Sequence, residues 1–96
     1  MSDIKLFKLV TNEEIICNVV SAEDNFFVID DAVSVVYHKT EKGLASGFGA
    51  FMPHSEGPII LNTNAIIGSG RIHPEVLNNY NTLFSKIVVP PTKIVV

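Results

Sequence analysis

The chain has 96 residues, enough for one domain with a modest interior. Hydrophobic residues make up 47% of it and charged residues only 18%, with a mean hydropathy of +0.34, so apolar side chains must cover part of the outside, and association with identical copies is expected. A formal net charge of −3 with a single arginine, Arg71, leaves no basic stripe, which argues against a DNA-binding protein and lowers the expectation of RNA binding.

The elements predicted in chain order begin with a β-meander. Ile4–Val10, Glu14–Val20 and Phe26–Tyr37 read as strands, separated by the polar turns Thr11-Asn12-Glu13 and Ser21–Asn25. In the first, Ile4 and Leu6 alternate with Lys5. In the second, Ile15, Cys17 and Val19 share one face, with Ile16, Asn18 and Val20 opposite. The third is long and carries Asp30-Asp31 at its middle, which predicts a bend or bulge of the kind that curls a small sheet into a barrel. His38–Gly43 and the glycines that follow read as a loop, then Phe48–Met52 as a short strand ended by Pro53. Pro58 opens a further strand, Ile59–Ile67, which Gly68-Ser69-Gly70 ends. Pro74 and Glu75 suit the first turn of a helix running over residues 74–87. Val76, Tyr80, Leu83 and Ile87 form its apolar stripe, widened by Leu77 and Phe84. Pro90-Pro91 and an apolar extension over 88–96 follow. The expected layout is one domain over 1–96, with its barrel over about 4–70.

Chemistry-bearing residues are sparse. Cys17 is the lone cysteine, which excludes an intrachain disulfide, and its apolar strand predicts a buried thiol. His38, His54 and His73 fall in separate loops with no metal-ligand spacing, so no metal is expected. Glu13-Glu14 and Glu23-Asp24 read as turn residues, and neighbouring carboxylates on a strand point to opposite faces, so none forms an acid–base pair. No cofactor motif and no nucleophile–base arrangement stands out, and the expectation is a non-enzymatic protein. No apolar run approaches the ~20 residues of a membrane helix. The N-terminal Met1-Ser2-Asp3-Ile4-Lys5 lacks the shape of a signal peptide, so a cytoplasmic protein without membrane contact is expected.

Leu9-Val10-Thr11-Asn12, Ile15–Val19, Asp24-Asn25 and Ile29-Asp30-Asp31-Ala32-Val33 follow one another as an apolar strand, a tight polar turn, a second strand, an Asp/Asn loop and an acidic-Ala strand end. This order resembles the first signature half of the Sm-like (LSm) family, and Ile60–Ile66 resembles its second half. With its C-terminal helix and Pro-Pro tail, the chain is most similar to the small Sm-like proteins of tailed phages, which would place it in the host-cell cytoplasm. The resemblance implies a mainly β fold: a strongly bent five-stranded antiparallel barrel, here with a C-terminal helix. It also implies a homo-oligomeric ring of about five to seven subunits joined through the edges of the fourth and fifth strands. Interface positions would be Phe48, Phe51, Ile59, Ile60 and Ile66. RNA contact would fall to Asp24, Asn25, Asn62, Thr63 and Asn64, with Phe26 or Tyr37 stacking a base. The family's Arg-Gly pair is absent near residue 62. Alternatives are a structural or adaptor ring contacting protein partners, and a small-ligand-binding barrel of one or two subunits.

Overall fold

The computed structural model describes residues 3–84. Over these residues the chain folds into six antiparallel strands and one helix: β1 (Ile4–Leu9), β2 (Glu14–Ala22), β3 (Phe26–Thr40), β4 (Gly43–Ala50), β5 (Ile59–Asn62), β6 (Ile66–Gly70) and α1 (Pro74–Leu83). The strand order is β4-β3-β2-β1-β6, and β5 pairs with the first part of β3. β4 and β5 therefore lie one after the other along the same side of β3. The sheet's two remaining ends, β5 and β6, are joined only by the 3-10 turn Thr63–Ala65, with no ladder between them.

The meander forms as its alternation predicts. Asn12 takes a positive φ of 78°, a conformation asparagine tolerates, and its N–H donates to the Leu9 carbonyl to close the first turn. The bulge expected at Asp30-Asp31 is present. Ile16 pairs with Val33 but Asn18 with Asp30, so two residues of β3 oppose Cys17 alone, and Asp31 sits at a φ of 51°. A second irregularity lies between Val19 and Ser21. These offsets bend β2 and β3 and let their two halves face different neighbours.

Three expected boundaries are corrected. His38–Gly43 is not a loop: β3 runs to Thr40, turns at Glu41-Lys42 and pairs back through the whole of β4. The turn suits its sequence, because Gly43 adopts a φ of 122° and the Thr40 hydroxyl donates to the Gly43 carbonyl. The expected fifth strand, Ile59–Ile67, breaks into two at Thr63-Asn64-Ala65, so the sheet has six strands among the described residues rather than five. The short polar side chains there favour the turn, which redirects the chain from β3 across to β1. Gly68-Ser69-Gly70, expected to end the strand, is itself strand paired with β1.

Two apolar clusters form on the two faces of the sheet. Phe7, Leu9, Ile15, Cys17, Ile29 and Leu61 fill the inner side, away from α1, with Phe7 and Phe27 stacked at 5.6 Å. Ile16 and Val33 on the other side pack against Tyr80 of α1. The Ile15/Cys17 and Ile16 faces separate as the alternation requires. In β1 the deeper face is Phe7 and Leu9, while Ile4 and Leu6 are half-buried under the helix layer. The helix starts at Pro74 as expected and is capped by His73, whose Nδ1 accepts the Glu75 N–H at 3.2 Å. Val76, Tyr80 and Phe84 form its buried stripe, but Leu83, expected within it, is exposed. Ile87 and the extension over 88–96 lie outside the described residues.

Candidate functional site

The tight turn after β2 and the 3-10 turn after β5 meet. Glu23 N–H donates to the Phe26 carbonyl, which closes the first of these turns. Phe26 then pairs with Asn62 at the start of the β3–β5 ladder. Both the N–H and the hydroxyl of Thr63 donate to the Asn25 carbonyl, at 3.0 and 3.1 Å. Asp24, Asn25, Phe26, Asn62, Thr63 and Asn64 thus come together from segments far apart in sequence. Asn25, Asn62 and Asn64 are exposed, and each amide offers donors and an acceptor, the combination that reads a base edge. Phe26 is half-buried. Glu23 and Asp24 are exposed within this cluster, and neither joins an ion pair with a described lysine or arginine.

Tyr37 lies elsewhere, in the far half of β3, paired with Ser46 of β4. Its ring is 57% exposed and its hydroxyl donates to Glu14 Oε1 at 3.0 Å. That hydrogen bond raises the phenol's pKa above its ordinary value, with smaller contributions from burial and the Glu14 charge. The other Glu14 oxygen lies 3.7 Å from Lys8 Nζ. Beside this pair is a cleft of about 200 Å³, roofed by the segment that leads into α1. Its floor is aliphatic, from Leu6, Ile16, Val35, Ile72 and Val76, and its rim is polar, from Glu14, Tyr37, Ser46, Arg71 and His73. No short sequence motif announces this grouping. Its rim residues come from β2, β3, β4 and the helix approach, and only the strand register brings them side by side.

The positions expected at an oligomer interface divide. Phe48 meets the Tyr80 ring edge-on at 6.4 Å, and Phe51, Ile59 and Ile66 pack against the inner cluster. Ile60 is 66% exposed. The outer edges of β4 and β6 carry no partner strand among the described residues, and each bears an exposed apolar residue, Leu44 on β4 and Ile67 on β6.

The remaining polar residues have structural surroundings. Cys17 is buried, and burial first, then the charges of Asp30 and Asp3, pushes its thiol up to about 12, far from a nucleophile's range. Asp30 accepts from the Asn18 amide at 2.9 Å, and the Asp31 carbonyl accepts from the Tyr80 hydroxyl at 2.6 Å, so the mid-strand pair anchors the bulge. Ser34, buried, donates to Glu13. His38 lies on β3 rather than in a loop, whereas His54 is in a turn and His73 caps the helix. Among the described residues no three of the His, Cys, Asp and Glu side chains are grouped to hold a metal, and no helix is long and apolar enough to cross a membrane.

No family model matches the chain, and none of the curated proteins compared with it matches either.

Proposed function

We propose that this chain is a non-enzymatic, Sm-like barrel protein whose copies join edge to edge into a closed ring that binds single-stranded RNA. The observation that carries the proposal is that, among the described residues, the outer edges of β4 and β6 have no partner strand. β4 and β6 stand at opposite ends of the order β4-β3-β2-β1-β6, and Leu44 and Ile67 on them are 74% and 62% exposed. An open edge is a template for another strand, and joining one edge to a different one on the next copy generates a ring when the rotation closes. A small domain with 47% hydrophobic residues gains most from such closure. In a ring, the Asn25, Asn62 and Asn64 cluster repeats once per subunit and presents amides for bases, with Phe26 beside them.

A ring that contacts protein instead is favoured by one feature, the acidic Glu23 and Asp24 in that cluster, which oppose phosphate. Two measurements test the proposal. Native mass determination of the full chain is expected to give a discrete oligomer. Leu44→Asp, a change at an exposed position that puts a charge on the edge, is expected to release monomers with unchanged circular dichroism. A parent protein that stays monomeric at high concentration overturns the ring. Titration with uridine-rich and adenine-rich oligonucleotides at two salt concentrations then separates the cargoes. Salt-sensitive binding supports RNA, and its absence at micromolar protein supports the protein-contacting ring.

A further inference from the structure

We propose that the cleft between Tyr37 and Arg71 is a nucleotide site, built for one nucleoside monophosphate unit whose base carries an exocyclic amine, and separate from the Asn25–Asn62 loop cluster. It stands whether or not the protein forms a ring or binds RNA through its loops.

The cleft holds about 200 Å³ and adjoins a second hollow of about 270 Å³. Leu6 and Glu14 line both. Sites for small organic ligands usually run ~300–1,000 Å³, so a nucleotide would have to draw on both hollows across the Leu6 and Glu14 that they share. Together they offer three kinds of chemistry. Its floor, centred on Ile16, Val35 and Ile72, is aliphatic and suits a flat apolar surface. At the mouth the exposed Tyr37 ring gives a face on which a base can stack.

The second feature is the cation. Arg71 is the chain's one arginine, and it has no carboxylate partner among the described residues. Its planar fork of donors matches phosphate oxygens. His73 adds to this side. Its Nδ1 already accepts the Glu75 N–H, so in the neutral ring Nε2 carries the proton and donates. Lys8 lines the adjoining hollow, where it is paired with Glu14.

The third feature is Glu14, and it narrows the ligand. One oxygen accepts the Tyr37 hydroxyl and the other faces Lys8, yet a carboxylate has about four acceptor positions, so capacity remains for a donor from the ligand. Tyr37 spends its hydroxyl proton on Glu14, so that carboxylate meets the tyrosine as an acceptor. Adenine, cytosine and guanine present an amine that can satisfy it. Uracil has no amine, and its single N3–H donor is flanked by two carbonyl oxygens that a carboxylate repels. An apolar amino acid shares part of this chemistry, with an ammonium for Glu14 and a carboxylate for Arg71. The stacking surface and the second hollow favour the larger, aromatic ligand.

The test is calorimetric titration of the full-length protein with AMP, UMP, leucine and inorganic phosphate. AMP is expected to bind at least tenfold more tightly than UMP and than phosphate. Arg71→Gln is expected to weaken AMP tenfold or more, and Glu14→Gln to bring AMP and UMP within about threefold of each other. Both positions are on the surface side of the fold, and an unchanged thermal melt verifies that each variant is folded. Loss of AMP binding in a variant with Asn62→Ala and Asn64→Ala, alongside parent-like binding in Arg71→Gln, would place the nucleotide in the loop cluster and overturn this site. AMP binding no tighter than phosphate, an Arg71→Gln variant that binds like the parent, or leucine displacing AMP at equal concentration would each overturn the assignment.

Discussion

The two faces of this sheet are buried in different ways. On the inner side, six residues from β1, β2, β3 and β5 make a cluster in which every member is a strand residue. On the helix side, among the described residues, the cluster's buried members are Ile16, Val33 and Tyr80, and the apolar residues packed against them are half-buried. One of those three comes from α1. That helix has ten residues, three of them the middling helix formers Asn78, Asn79 and Asn81, and a helix this short is marginal in isolation. It persists through tertiary packing, chiefly the Tyr80 ring between Phe48 and Phe84 and the hydroxyl bond to the Asp31 carbonyl. The inner face therefore carries the sheet's own stability and holds the loop cluster. The outer face is a layer added to it, and the cleft at Tyr37 and Arg71 depends on that layer staying in place.

The largest effect is expected from the inner face. Ile15 is 0% exposed, and Ile15→Ala removes three carbons from a packed strand-only cluster, at a cost of about 2–5 kcal/mol. Against a typical domain stability of ~5–15 kcal/mol this takes a large share of the fold, and urea denaturation of the variant should show both faces lost together. Tyr80→Phe tests the outer face with a lighter touch. It keeps the ring contacts at 6.4 and 4.9 Å and deletes only the hydroxyl bond to the bulge, worth about 1 kcal/mol. Amide hydrogen exchange should then quicken in α1 while Ile15, Ile16 and Cys17 of β2 keep their protection. If α1 and β2 lose protection equally, the two layers are one cooperative unit and the contrast is wrong.

The same contrast explains what was legible in the sequence. The inner face is written in strict alternation, so the Ile15–Cys17–Val19 side and the turns flanking β2 could be read directly. The bulge was legible too, because two carboxylates in a half-buried strand need a local break to find partners. The hairpin of β3 and β4 was not, because Gly43, Gly47 and Gly49 give no side-chain pattern. Gly47 sits 3.5 Å from His38 and 3.9 Å from Val36 at the position a Cβ would take, in ordinary contact rather than a clash, so the strand gains its place from backbone pairing. The break at Thr63-Asn64-Ala65 was hidden because isoleucines on both sides read as one continuous run. Asp24, Asn25 and Asn62–Asn64 were reached through a family likeness, and the β3–β5 ladder is what joins them. The Tyr37–Arg71 cleft had no signal along the chain, since its residues are neighbours only across strands.

The smallest effect, absent at neutral pH, compares the two faces through their buried titrating groups. On the inner face, burial pushes the Cys17 thiol from the ordinary 9.0 to about 12. On the outer face, burial also raises the Tyr80 phenol above its ordinary 10.0. Both groups are neutral when protonated, and the native state holds those protons where the unfolded chain would release them. Stability from Cys17 is therefore complete below about pH 9 and is lost as pH rises towards 12, with Tyr80 adding to the loss in the same direction from about pH 10. Denaturation midpoints measured from pH 7 to pH 11 should be flat at first and then fall. Cys17→Ala lowers the midpoint at every pH through lost packing, so the informative quantity is the slope, which should be shallower between pH 9 and pH 10 than in the parent. Tyr80→Phe should instead flatten the upper part of the curve. A Cys17→Ala profile parallel to the parent's would mean that the thiol ionises in the folded protein as it does in water, and the inner face would then be wetter than its packing requires.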